Sequence, residues 1–262
     1  MTSTIWEAVK PKVIVSLTSF PGAIDFAPGA IHSILEGSVL PDKIVLYVTE
    51  SQFGDKGLPE EILKLERESD LFEIRDYPYD IRSYRKLVPA LKDFPDDIII
   101  TIDDDVAYHR DMIKDLLAVH DRFPQDLIAH RAKKILPDKP YKKWKKYRWY
   151  HFIGRKYHTR FDTMQTGVGG VLYPPGALKE EMIDRNLFQK LSPTADDIWF
   201  WAAAVANGRK VIPVPFGHNK PKSLGKPREL SLKSINFKSG TDRNKLQFEK
   251  ILEHYPEIKN MI

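Results

Sequence analysis

The residues best suited to chemistry are carboxylates. Asp103, Asp104 and Asp105 are adjacent and follow the apolar run Ile98–Ile102 directly. Three neighbouring carboxylates repel one another, and a cation is the simplest way to offset that cost. Oxygen-only donors suit hard divalent ions, and Mg2+ or Mn2+ takes one or two carboxylates and fills its remaining positions with water and phosphate oxygens. On an extended chain the i, i+2 spacing puts Asp103 and Asp105 on one side and turns Asp104 away. The other reading of the triplet is an N-cap and solvated acids ahead of the next helix. A second group, Asp196–Asp197, heads Ile198–Trp199–Phe200–Trp201. Acids at a helix start can cap backbone N–H groups and complement the helix dipole. Beside a wall of Trp and Phe, desolvation can equally raise a carboxyl pKa toward general-base duty. The two readings stand side by side here.

Cations come next. Arg82, Arg85 and Lys86 follow the third predicted strand and could face an anion or form a solvated helix face. The segment 131–160 holds eight Lys, four Arg and one acid, Asp138, a local charge of +11 in a chain of net charge +5, so the other 232 residues sum to −6. Tyr141, Trp144, Tyr147, Trp149, Tyr150 and Phe152 are interleaved among these cations. Such a mixture fits stacked single-stranded nucleic acid, an anionic membrane surface, a lipid-diphosphate-linked acceptor or a solvated loop.

The elements that must position these groups follow from periodicity. Strands are predicted at 12–18, 43–48, 72–74 and 97–102, and helices at 25–37, 59–65 and 83–91 between them. Four strand–helix alternations in the first hundred residues indicate an α/β fold with a mainly parallel sheet covered on both faces. In such sheets ligands lie outside the carboxyl ends of the strands, where the aspartate triplet falls. Later helices are expected at 111–122, 196–207 and 242–254. A glycine-rich turn with a short strand is expected over 167–175, and an edge strand containing Pro213 over 210–214. The last helix should pack on the core through Leu246, Ile251, Leu252 and Tyr255.

Composition removes several classes. With 262 residues, 42% of them apolar, the chain can bury a sizeable core. There is no cysteine, which excludes disulfides, thiolate metal sites and a cysteine nucleophile. The longest apolar run, Ile198–Ala206, is about half of what a membrane-spanning helix needs. The first twelve residues show no apolar leader core, so a cytoplasmic protein is expected, peripheral on the inner face of the cytoplasmic membrane if the basic segment docks there.

A strand running into D-x-D, a glycine-rich segment some sixty residues later and an acidic pair heading a Trp-rich helix together resemble a GT-A-fold glycosyltransferase. The pattern is more closely similar to the bacterial enzymes that build capsule and lipopolysaccharide. The matching segments are 16–21 (SLTSFP), 83–91 (SYRKLVPAL), 100–106 (ITIDDDV), 166–175 (TGVGGVLYPP) and 195–199 (ADDIW). The resemblance implies a GT-A-like α/β fold, Rossmann-related, in a single domain over 1–262. A nucleotide-sugar-binding half would occupy about 12–125, an acceptor half 126–240, and a C-terminal helix 241–262. It implies that Asp103 and Asp105 hold Mn2+ or Mg2+ against the diphosphate of a UDP-linked sugar, with Asp104 beside them and His218 a further ligand. Thr18, Ser19 and Phe20 would meet the nucleotide, with Arg85 and Lys86 as cations near the diphosphate. Gly169 and Gly170 would line the sugar or acceptor pocket. Asp197 would be the base of an inverting transfer to a glycan or lipid-linked glycan hydroxyl, with Asp196 in support; a retaining enzyme would not need Asp197 in that role. The basic 131–160 stretch has no place in the general family pattern. A sugar nucleotidyltransferase is disfavoured because Ser19–Phe20–Pro21–Gly22 offers only one glycine for a phosphate loop. A nucleic-acid-binding module is disfavoured by the acidity of the remainder.

Overall fold

The computed structural model describes residues 10–215, 221–227, 229, 236 and 240–262. Its frame is a seven-stranded sheet of order β11-β6-β10-β4-β1-β2-β3. The strands are β1 (Val13–Thr18), β2 (Lys43–Val48), β3 (Phe72–Asp76), β4 (Ile98–Thr101), β6 (Leu127–Ala129), β10 (Val171–Tyr173) and β11 (Val211–Pro213). Only β10 runs antiparallel to its neighbours; the others share one direction. The mainly parallel sheet expected from the alternating pattern is therefore present, with the Pro213 strand at an edge. Strands β1, β2 and β4 are buried almost throughout because both faces are covered, which explains their continuous Val, Ile and Leu content.

One apolar layer packs Val15, Leu17, Leu46 and Ile100 against α1 (Ala27–Leu35), α2 (Glu60–Glu68) and α4 (Met112–His120). The other packs Ile14, Val45 and Ile99 with α3 (Val88–Asp93), α5 (Arg185–Leu191), α6 (Asp196–Ala206) and α7 (Arg243–His254). Trp199 and Trp201 of α6 are fully buried there, and Phe248 of α7 lies 5.8 Å from Trp201, ring centre to ring centre. Leu246, expected on the packed face of α7, is exposed; the face that packs is Phe248, Ile251, Leu252 and Tyr255, spaced as one side of a helix.

The segment 83–91, expected as one helix, is a 3-10 turn over Arg82–Lys86 followed by α3. Pro89 has no N–H to bond back to Arg85, so it cannot continue a helix begun at Ser83 and is instead accommodated at the start of a new one. A smaller antiparallel sheet of β7 (Ala132–Lys134), β8 (Lys145–Lys146) and β9 (Thr163–Gln165) carries the basic segment. Trp144 and Phe152 are buried in it, whereas Trp149 and Tyr150 are exposed, so only part of the aromatic interleaving faces solvent. Among the described residues no helix is long and apolar enough to cross a membrane.

Candidate active site

Parallel pairing of β1 with β4 sets their carboxyl ends side by side, so the loop after Thr18 and the run Asp103–Asp105 meet. The Ile102 N–H donates to the Ser16 carbonyl and extends that alignment by one residue. Beyond it the chain enters a turn at Asp104–Asp105 before β5 (Val106–Ala107). Strand alternation therefore stops short of the triplet, and the grouping differs from the i, i+2 expectation. Asp104 is buried, accepts from Ser19 Oγ, and shares Lys226 with Asp105: Lys226 Nζ lies 3.0 Å from Asp104 Oδ1 and 2.8 Å from Asp105 Oδ2. Burial pushes the Asp104 carboxyl pKa up, and Lys226 and the Ser19 hydroxyl oppose the rise. The short strand β12 (Lys222–Ser223) pairs with β5, and the Leu224 N–H donates to the Asp105 carbonyl, which brings Lys226 to the site.

Asp103 turns to a different lysine. Lys86 Nζ, on a side chain only 7% exposed, sits 2.9 Å from Asp103 Oδ1 and 3.3 Å from Asp196 Oδ2. Burial pulls this ammonium down, but Asp103, Asp196 and Asp197 more than reverse the effect and hold it well above the ordinary lysine range. Ser16 Oγ donates to the Lys86 carbonyl and fastens the 3-10 turn to β1. The D-x-D strand end and the acidic pair of α6, more than ninety residues apart in sequence, are joined through one ammonium group.

The acidic pair does not cap its helix. Ala195 occupies the N-cap position of α6, and no side chain caps it. Asp197 Oδ1 instead accepts the Gly167 N–H at 2.9 Å from across the site, and Gln165 donates to the Asp197 carbonyl. The Asp197 carboxyl is raised to about 7, first by burial and then by the Asp196 charge, with Lys86 and the Gly167 N–H pulling the other way. A carboxyl at that value, partly open at its surface, can exchange a proton near neutral pH. Upstream of the pair, Thr194 is pinned to α7: its N–H donates to Gln247 Oε1 at 2.9 Å.

Thr18 ends β1, and Ser19 and Phe20 follow it. Arg85 organises this loop: Nε donates to Thr18 Oγ1 at 2.7 Å, Nη2 to the Ser19 carbonyl at 2.6 Å, and Nη1 to Thr49 Oγ1. These acceptors are all uncharged. Burial accordingly lowers the guanidinium pKa, with Asp80 and Asp76 opposing from farther off.

Among the glycines, the one facing the carboxylates is Gly167. A Cβ there would meet Lys86 Nζ at 2.6 Å and Asp197 Oδ1 at 3.1 Å. Gly169 abuts Arg131, and Gly170, in the left-handed region at φ +86°, abuts Met112, so both serve close backbone packing instead of lining the carboxylate cluster. His218 lies outside the described residues. Lys226, Gly167 and Gln165 are the site residues that sequence reasoning did not single out.

Among the described residues no three His, Asp or Glu side chains converge as a ready metal cage. The donors at hand are hard carboxylate oxygens, now neutralised by lysine ammonium groups, and this set suits an ion that brings phosphate and water oxygens as its other ligands.

No family model matches the chain, and no curated protein matches it either. A solved structure does: the mannosyltransferase PcManGT from Pyrobaculum calidifontis, in complex with GDP-Man and Mn2+, matches at a TM-score of 0.58 over 94% of this chain, with 14% identity. The chain has a GT-A-like glycosyltransferase fold. It spans 64% of that mannosyltransferase's length. In this chain the carboxyl ends of β1 and β4 carry Ser19 and Asp103–Asp105 with their lysines, and Lys86 joins Asp103 to Asp196 at the start of α6.

Proposed function

We propose that this protein is a metal-dependent glycosyltransferase that moves a sugar from a nucleotide-sugar donor to a glycan hydroxyl with inversion. The observation that carries the reading is that Lys86 bridges Asp103 to Asp196, the neighbour of Asp197, whose own carboxyl is raised to about 7 by burial and by the Asp196 charge. In this reading residues 12–125 form the donor half, 126–240 the acceptor half, and 241–262 a brace behind α6.

Each residue then has a physical task. Asp103 and Asp105 would hold Mn2+ or Mg2+, which supplies positive charge to the diphosphate as it leaves. Lys86 adds a fixed cation beside Asp103, the kind of preorganised charge that contributes most to lowering such a barrier. Arg85 holds the Thr18–Phe20 loop in shape for the nucleotide, and its buried charge, hydrogen-bonded to neutral acceptors among the described residues, favours an anion nearby. Asp197 takes the proton from the attacking acceptor hydroxyl, and the Gly167 N–H fixes the carboxylate so that its other oxygen can do so. Asp196 keeps Lys86 in place.

The resemblance to capsule and lipopolysaccharide enzymes points to a UDP-linked donor and a lipid-linked acceptor at the cytoplasmic membrane; the mannosyltransferase neighbour, solved with GDP-Man, makes GDP-sugars the second arm of the test. The experiment is a donor screen by nucleotide release with Mn2+ and with a chelator. Metal-dependent release of UDP or GDP supports the reading, whereas release that is indifferent to chelation, or no release with any donor, overturns it.

A further inference from the structure

The basic segment splits into two parts with different character. Its first part is built into the fold: Ala132, Ile135 and Trp144 are buried, Tyr141 takes the Lys133 ammonium over its ring at 3.5 Å, and Trp144 packs edge-on to Phe248 at 4.9 Å. Its second part is an exposed tip. Trp149 is 62% exposed, Tyr150 49% and Ile153 66%, three large apolar side chains within five residues. Arg148, Gly154, Arg155 and Lys156 surround them and are exposed as well. Over 139–161 the sequence has nine Lys and Arg and no acid.

The tip is held from beneath. Phe152 is buried, with His158 5.2 Å away edge-on; His158 Nε2 meets the His151 carbonyl at 2.8 Å; and Tyr147 is tied to Thr163 by a 3.0 Å hydroxyl contact. An ordered platform thus presents Trp149, Tyr150 and Ile153 outward instead of folding them in. Leaving three large apolar groups in water costs free energy that a soluble loop of this size could avoid by polar substitution, and a ring of cations without acids adds self-repulsion.

We infer that the tip 148–156 docks on an anionic lipid bilayer, Trp149, Tyr150 and Ile153 entering the interface and Arg148, Arg155, Lys156 and the neighbouring lysines meeting the headgroups. Charge complementarity selects anionic lipid, and Trp and Tyr suit the headgroup layer because each carries an apolar ring with a polar handle. The fold relates this surface to the site. The Tyr147 N–H donates to the Ala132 carbonyl on one side of β7, and Ala132 pairs with Gln165 on the other. Gln165 in turn holds the Asp197 carbonyl. Three adjacent strands span roughly 10 Å, so the tip departs from the sheet end that also carries Gln165. The inference needs no transfer activity and stands apart from the proposed reaction.

Co-sedimentation of the full chain with phosphatidylglycerol/phosphatidylcholine vesicles tests it, against pure phosphatidylcholine vesicles and a single-stranded RNA oligomer. Binding to the anionic vesicles alone is expected, falling as salt rises. W149A/Y150A/I153A should lower partitioning about ten-fold or more, and R148Q/R155Q/K156Q about 100-fold, at about five-fold per cation removed. Both variants change exposed side chains, so their melting temperatures should match the parent. Failure to bind anionic vesicles, equal binding by the parent and the aromatic variant, or preference for RNA would each overturn the inference.

Discussion

Lys86→Met separates an electrostatic hub from a merely buried lysine. The ammonium lies 2.9 Å from Asp103 and 3.3 Å from Asp196. Unit charges at those distances attract by about 6 and 5 kcal/mol at an effective dielectric of about 20. Desolvation of the lysine offsets several kcal/mol of this, and removing one partner of a buried ion pair costs about 3–5 kcal/mol because the remaining charges are left uncompensated. For a chain of this size that is a fall in melting temperature of about 6–20 °C. The pH dependence discriminates further. Without Lys86 the charges of Asp196 and Asp103 bear on Asp197 with no ammonium to oppose them, and protonation of Asp197 in the folded state is favoured. An acid whose folded pKa lies above its unfolded value gives stability that is full below the unfolded pKa and lost as pH rises through the folded pKa. The variant's deficit should therefore be largest at pH 8 and shrink toward pH 5.5. Thermal unfolding of parent and variant across that range is the assay. A variant within 2 °C of the parent at pH 8, or a gap that widens on acidification, would refute the argument that Lys86 couples the two acidic groups.

Asp197→Asn should leave nucleotide-sugar affinity within about two-fold and lower turnover by about 100- to 10,000-fold, the usual range for a positioned base. Parental turnover should rise as pH passes about 7, where Asp197 ionises, and this limb should be absent from the variant's residual rate; a pH profile of nucleotide release checks both. Asp105→Asn should abolish the part of nucleotide binding that Mn2+ adds and chelation removes, measured by calorimetric titration. Gly167→Ala brings a methyl group to 2.6 Å from Lys86 Nζ, so the ammonium must shift from its present place between Asp103 and Asp196; a loss of about 1–3 kcal/mol in urea unfolding is expected, with turnover falling together with it.

Much of this arrangement could be read without coordinates. The strands at 13–18, 43–48 and 98–101 announce themselves by unbroken β-branched runs, and a parallel sheet sets their carboxyl ends on one edge, so the loop after Thr18 and the run 103–105 could be expected there together; that Asp104, expected to turn away, is the carboxylate Ser19 meets could not. What stayed hidden depends on contacts without a period. Lys226 arrives through a two-residue strand, too short to leave an alternation, and meets Asp104 over a separation of 122 residues. The stretch 166–170 holds three glycines, and choosing Gly167 over Gly169 and Gly170 needs the backbone path, since all three are there because space is short but against different neighbours. The i, i+2 rule placed Asp103 with Asp105, yet the strand ends at Thr101 and the turn regroups Asp105 with Asp104. Strong local periodicity was legible; the side on which a turn residue falls was not.

The two lysines that now neutralise the carboxylates are not equivalent, and the difference bears on how the site could exchange one cation for another. Lys86 is fixed at both ends: its carbonyl is bonded to Ser16, and its ammonium spans Asp103 and Asp196 in a nearly closed setting. Withdrawing it would leave the acidic pair of α6 unsupported and disturb Asp197 itself. Lys226 reaches Asp104 and Asp105 from a two-residue pairing with β5, its side chain 13% exposed against 7% for Lys86. Its departure would expose Asp105 while the Ser19 hydroxyl still satisfies Asp104. Four carboxylates share two ammonium groups with Asp197 beside them, so acidic charge exceeds lysine charge, and in the proposed reaction a divalent ion and a diphosphate would enter with the smaller loss on the side that Lys226 covers.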